Sequence, residues 1–284
     1  MRLVTEAHGH LPHFGAVEAP FRAAVQPGRL ALASGPVDSG KTALALKTAI
    51  ALREAMGALV YDLRGHGAPS AHERAALHAA LLRSRHTGVP VIAIAELRER
   101  TTMEAVEELL DARAAVLATV HLRRPFDAPA RLLGLAGEHL TRSVVSRLSA
   151  CVGLRLLLKL CPHCRVPIPL SDTEGNADAE VTKPVPIGGA MIRPPYRRGQ
   201  GCEACHGRGI AQRAPLAELL LPNGPMLDAV ARGDTQSFVD IARSTEAEGT
   251  VFRSMHANLR TGLLAGDFDP AMVRSIANSL DAPA

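Results

Sequence analysis

The stretch Gly35-Pro36-Val37-Asp38-Ser39-Gly40-Lys41-Thr42 holds the residue types that can wrap a polyphosphate. Its glycines let the backbone curl without Cβ clashes, so that successive N–H groups point at one anion. Lys41 brings an ammonium for the outer phosphates, and the Thr42 hydroxyl is a ligand for Mg²⁺. The order fits G-x-x-x-x-G-K-[ST] at every position. Such a match alone can be a structural turn; its weight comes from having a strand before it and a helix after it. Asp38 is the odd member. A carboxylate about 4 Å from a phosphate charge costs about 4 kcal/mol at an effective dielectric of ~20, so its side chain is expected to point outward.

Four cysteines and two further polar residues could carry chemistry. Cys161-Pro162-His163-Cys164 and Cys202-Glu203-Ala204-Cys205 are two C-x-x-C knuckles. Four thiolates so paired make a closed tetrahedral site for structural Zn²⁺. A redox pair would need no second knuckle. The fifth cysteine, Cys151, stands apart and is expected in the core, on an apolar helix. Glu96 ends the apolar run Val91–Ala95, where a carboxylate could hold Mg²⁺ through water or activate an attacking water; the plain alternative is an exposed Glu opening a helix. His121 ends the run Ala114–Val120, where a phosphate sensor would sit. Taken alone, His121 reads better as a satisfied structural histidine.

The elements that must position these residues follow from periodicity. Arg29–Ser34 is expected as a buried strand, with a helix from Lys41 to about Met56. Further strands are expected at Ala58–Asp62, Val89–Ala95 and Ala114–Val120. Helices are expected at Ser70–Arg85 (Ser70 and Glu73 forming its capping box), Thr102–Ala112, Ala128–Leu135 and Leu140–Cys151. Continuous apolar strands alternating with helices imply a doubly wound sheet. Residues 165–200 hold six prolines and little periodicity, and so read as an insert. Beyond Gly209 the chain is expected to be helical at Ala217–Leu221, Pro225–Arg232, Thr235–Thr245, Val251–Ala265 and Pro270–Leu280. The division expected is a nucleotide-binding core over 1–160, a zinc insert over 161–209 and a small helical subdomain over 210–284.

Composition narrows the function. With 3% aromatic residues and no Trp, the chain lacks the rings of a single-strand nucleic-acid platform, and a net charge of +4 with no basic stripe does not ask for an acidic partner. The opening MRLVTEAHGHLPHF has no apolar signal region, and no apolar run is long enough to span a bilayer. Cysteines in close pairs suit a reducing compartment, so a cytoplasmic protein is expected. Translation-factor GTPases carry a similar Val-Asp step in the loop. However, no asparagine here precedes a lysine, so the guanine-reading Asn-Lys-x-Asp is absent and the GTPase reading is set aside.

In their order, these pieces resemble the type II secretion and type IV pilus assembly ATPases. The family's GPTGSGKT corresponds to Gly35–Thr42, its MVGEIRD-like strand to Ala93–Glu99, and its STLHTN-like histidine box to Ala118–Arg123. An AQRLVRRLCPHC-like segment corresponds to Gly153–Cys164, and the second knuckle with its continuation to Gly201–Leu220. The resemblance implies a RecA-like α/β P-loop core with a Cys₄ zinc insert and a C-terminal helical subdomain. It implies ATP, Mg²⁺ and Zn²⁺, and a hexameric ring at the cytoplasmic face of the inner membrane. There it would drive a membrane platform protein and meet cytoplasmic adaptors, touching the membrane only indirectly and nucleic acid not at all.

Departures from the family pattern matter as much. The family's N-terminal domains are expected to be missing and the segment before Glu96 shortened. Where the family has a VEDP-like acidic pair, this chain has Val60-Tyr61-Asp62-Leu63, leaving Asp62 as the remaining acid. Arg83 and Arg85 are the candidates for arginines reaching across the ring. Lys41, Glu96, Asp62 and His121 are thus the expected catalytic set. The alternatives are a hydrolysis-deficient relative serving as a structural or regulatory subunit, and a DNA-directed RecA-like motor with a zinc ribbon.

Overall fold

In the computed structural model the described residues are 2–3, 14–56, 60–62, 91–169, 183–245 and 252–281. The strands are β1 (Arg2–Leu3), β2 (Leu30–Ser34), β3 (Val60–Asp62), β4 (Val91–Glu96), β5 (Ala115–Val120) and β6 (Leu148–Leu160), then the short β7 (Val166–Pro167), β8 (Val185–Ile187), β9 (Ala190–Ile192) and β10 (Tyr196–Arg197), then β11 (Ile210–Leu220) and β12 (Phe252–Arg253). The helices are α1 (Glu18–Ala23), α2 (Lys41–Met56), α3 (Arg100–Asp111), α4 (Ala128–Ala136), α5 (Glu138–Val145), α6 (Gly224–Ala231), α7 (Thr235–Ser244), α8 (Met255–Leu264) and α9 (Pro270–Asp281). The expected helix Ser70–Arg85, with its capping box and with Arg83 and Arg85, lies outside the described residues.

The strand order in the main sheet is β1-β3-β4-β5-β2-β6-β11-β12, with β3, β4, β5, β2 and β6 running parallel. Every residue of β2 and β5 is buried, as strands covered on both faces must be. Leu30, Leu32, Ile92, Ile94, Val116 and Leu148 meet in one core. α3 turns Met103, Val106 and Leu110 onto that core at helical spacing.

Contacts divide the chain into two compact units, 1–154 with 218–253, and 155–217 with 254–284. These limits differ from the expected division at 160 and 209, because α6 and α7 pack into the core of the sheet through Met226, Val230 and Phe238. The second unit has its own core, in which Leu157, Val185, Leu216, Met255, Leu259 and Val273 meet. Within it α8 is started by Ser254, whose Oγ accepts from Ala257 N; such a cap is worth about 1 kcal/mol.

One expected helix gives way to strand part-way, and another is strand instead. Leu140–Cys151 breaks after α5, and Cys151 lies buried in β6, still in the core but not on a helix. Ala217–Leu221 belongs to the end of β11, where Leu219 and Leu220 pair with Arg253 and Phe252. In both places an apolar run that suits a helix is drawn into the sheet, where it gains a ladder and burial on both faces. Among the described residues no helix is long and apolar enough to cross a membrane.

Candidate functional site

The loop Gly35–Thr42 leaves the C-terminal end of β2 and enters α2 at Lys41, so it has the strand and the helix that its pattern requires. Here the fold reverses direction: β5 lies on one side of β2 and β6 on the other. In open parallel sheets that crevice is where ligands bind. Ser34 ties the strand end to β6 by donating to Val152 O at 3.0 Å. Gly35 follows with φ 144°, and a Cβ there would stand 2.4 Å from Leu154 O and 2.5 Å from Ser39 Oγ. Only glycine fits.

Two features of the loop suit an anion. Ser39 Oγ is buried with no hydrogen-bond partner among the described residues, a cost that a ligand oxygen would remove. The Lys41 side chain is folded back so that its ammonium donates to Pro36 O at 3.0 Å. Burial, and then the Arg98 guanidinium, push the Lys41 pKa down, while Asp38 pushes it up. Asp38 is exposed, as expected, with φ 58°. Thr42 is exposed at the start of α2.

Glu96 was expected on a strand next to the loop. It ends β4, and β5 stands between β4 and β2, because strand order in a doubly wound sheet follows the crossovers and not the chain. His121, just past the end of β5, spans the gap. Its Nδ1 lies 3.0 Å from Gly35 O and its Nε2 lies 2.9 Å from Glu96 Oε1. A shift of register between Ile94 and Glu96 sets Glu96 opposite Thr119, within reach of that ring. Both contacts of the ring are acceptors, so a neutral imidazole, with one N–H, satisfies one at a time. Burial first and the Lys41 ammonium second prevail over the hydrogen bond with Gly35 O, which favours the charged ring, and His121 titrates below its usual value.

Sequence reasoning gave no role to Arg98, whose Nη2 donates to Glu96 Oε2 at 2.5 Å. The signal was a guanidinium two residues past a strand-end carboxylate. Asp62 ends β3, three strands from β2, and its side chain lies outside the described residues, as does that of Tyr61. The arrangement can therefore seat a phosphate chain on backbone amides and Lys41, with one carboxylate linked to the loop through an imidazole.

A second site lies in the unit formed by 155–217 and 254–284. Cys161, Cys164, Cys202 and Cys205 converge, with all four sulfurs within 4.8 Å of one another. The pairs 161–202, 164–205 and 202–205 are each separated by 3.8 Å. A tetrahedral Zn²⁺ with bonds of about 2.3 Å spaces its sulfurs by about 3.8 Å, so the four residues fit that ion. The amides of Cys202 and Gly209 both donate to Cys205 Sγ at 3.2 Å and, with the neighbouring thiols, lower its pKa to about 6. Burial first and then the hydrogen bonds with the other thiols push Cys164 up to about 12. Gly199 makes the approach of the strands possible, since a Cβ there would lie 1.8 Å from Cys164 O.

The chain matches the Type II/IV secretion system protein family over residues 16–267. It is 28% identical over 220 residues to the type II secretion system protein E of Klebsiella pneumoniae, covering 74% of this chain and 42% of that one. It is 28% identical over 210 residues to the type IV pilus assembly ATPase PilB of Myxococcus xanthus strain DK1622, covering 70% and 36%. The chain thus spans less than half the length of these relatives. In fold it is similar to the pilus retraction motor PilT solved with bound ADP, with a TM-score of 0.60 and 16% identity over 95% of this chain and 68% of that one. The ATPase DotB of Legionella pneumophila also has a TM-score of 0.60, at 14% identity over 95% and 66%.

Proposed function

This chain belongs to the Type II/IV secretion system protein family, and from that membership we propose that it is a P-loop ATPase, the motor subunit of a type II secretion or type IV pilus assembly machine. The observation that carries the reading is the loop at the end of β2, joined through His121 to the Glu96 carboxylate. On this reading the amides of Gly35 to Thr42, with Lys41, hold the phosphates of ATP, and Thr42 is a ligand of Mg²⁺. ATP with Mg²⁺ supplies the phosphoryl bond that is cleaved and much of the charge that offsets it. Glu96, once clear of Arg98, orients or deprotonates a water, His121 positions Glu96 against the loop, and Asp62 is the remaining acid of the β3 edge. The cysteine quartet holds a structural Zn²⁺. The subunit works in a hexameric ring at the cytoplasmic face of the inner membrane, through a platform protein and cytoplasmic adaptors, without direct contact with nucleic acid.

A second reading, a subunit that binds ATP but hardly hydrolyses it, is favoured by Tyr61 at the acidic position and by a Glu96 engaged at both oxygens. Turnover of labelled ATP by the purified chain beside Lys41→Ala decides. Release well above the Lys41→Ala background is expected. Equal release by two folded proteins would sink the motor reading, and retained ATP binding in that case would select the second.

A further inference from the structure

Glu218 is a fully buried carboxylate in β11, set between the buried apolar residues Ala217 and Leu219. An apolar side chain would fill that position at lower cost, since a buried charge must recover its lost hydration from partners. One partner is Arg124, whose side chain is 14% exposed and whose Nε lies 3.4 Å from Glu218 Oε1. A hydrogen-bonded ion pair accepts a narrow range of geometry, where apolar contacts tolerate sliding.

Arg124 belongs to the segment that carries His121. The ladder of β5 with β2 ends at Val120 and its ladder with β4 at Thr119, so His121 stands just past the last paired residue. The chain beyond it is fastened at Arg124 in three ways. The side chain meets Glu218, and the backbone N–H donates to Asp127 Oδ2 at 3.0 Å. The guanidinium lies over the buried Phe126 ring, 4.4 Å from its centroid, and Arg243 of α7 covers the same ring at 5.3 Å. Two residues, the buried Leu122 and Arg123, separate this anchor from His121. The imidazole has to meet Gly35 O at 3.0 Å and Glu96 Oε1 at 2.9 Å together, a placement that a sliding segment would not keep.

We propose that Arg124 and Glu218 are a positioning pair for the phosphate site: their buried ion pair fixes the segment after β5 and so holds His121 between the loop and Glu96. The proposal rests on the ATPase reading of that site and adds the residues that keep its imidazole in place.

Steady-state ATP turnover by the full chain with Mg²⁺ tests it, in a double-mutant cycle with His121→Gln. Arg124→Met combined with Glu218→Leu replaces the pair by apolar groups of similar volume, an exchange that buried pairs often tolerate without loss of stability. By circular dichroism the exchanged chain should stay folded. Its KM for ATP should stay within about twofold of wild type while kcat falls about tenfold or more, as for a misplaced group. In the His121→Gln background the same exchange should cost nothing further, because the group it positions is gone. A folded exchanged chain that turns over at the wild-type rate overturns the proposal. So does an equal loss in both backgrounds, which would mean that the pair supports the fold and does not act through His121. If the exchanged chain does not fold, Glu218→Gln, which keeps the shape of the pair and removes its negative charge, goes through the same cycle with the same outcomes. Wild-type turnover no greater than that of Lys41→Ala would instead sink the ATPase reading, and this proposal with it.

Discussion

Glu96 is held at one oxygen by Arg98 and at the other by His121, so its shape can be kept while its charge is removed. Glu96→Gln should leave ATP affinity within about twofold and lower turnover by about 10²-fold or more, the usual worth of a positioned base. Steady-state kinetics beside equilibrium binding check this; a large loss of affinity with unchanged turnover would assign Glu96 to binding. Gly35→Ala makes the opposite case. Its methyl would meet Leu154 O, a backbone atom in a paired strand that cannot swing aside. Nucleotide binding should be lost as fully as in Lys41→Ala, while circular dichroism stays that of a folded chain. His121 adds a pH dependence. Its folded pKa lies below the ordinary 6.5, so on acidification the unfolded chain takes the proton first. Stability is then present above 6.5 and falls as the pH drops from there toward the folded value. Thermal midpoints on either side of that value should fall further for wild type than for His121→Gln; equal falls would mean the ring's proton affinity does not change on folding.

At the scale of elements, the two knuckles are short segments in a proline-rich stretch, so a metal held by them would supply much of what orders them. Chelation should release about one Zn²⁺ per chain and lower the thermal midpoint, and Gly199→Ala should weaken zinc retention by forcing the loop away from Cys164 O. Metal analysis showing no zinc in undamaged protein would remove the site. These knuckles were legible beforehand because ligand identity and spacing are written in the chain. So was the phosphate loop with its strand and helix, whose apolar run, glycines and lysine are local signals. The line Gly35–His121–Glu96 was not legible, because it depends on β5 lying between β4 and β2, an order set by crossovers. Nor was β6, at 13 residues far beyond a usual strand, since a buried strand and a buried helix share one apolar pattern. Cys151 shows how little that error cost at residue level: its burial was expected correctly, its element was not.

For the whole molecule the question is whether one chain can complete the site. Near the loop Lys41 and Arg98 are balanced by Asp38 and Glu96, with Arg131 the further charge that acts on His121. Phosphoryl transfer concentrates negative charge on the transferred group, and enzymes of this kind meet it with an additional cation aimed at the site. A guanidinium from a neighbouring copy would supply it, in keeping with the proposed ring. Turnover per chain should then rise with protein concentration until the assembly forms. Lys41→Ala subunits mixed into wild type should lower activity more steeply than their fraction, since each would sit beside an intact site and disturb its neighbour. Activity that is independent of concentration, and that falls in strict proportion to the mutant fraction, would mean each chain works alone and that the additional cation lies within it.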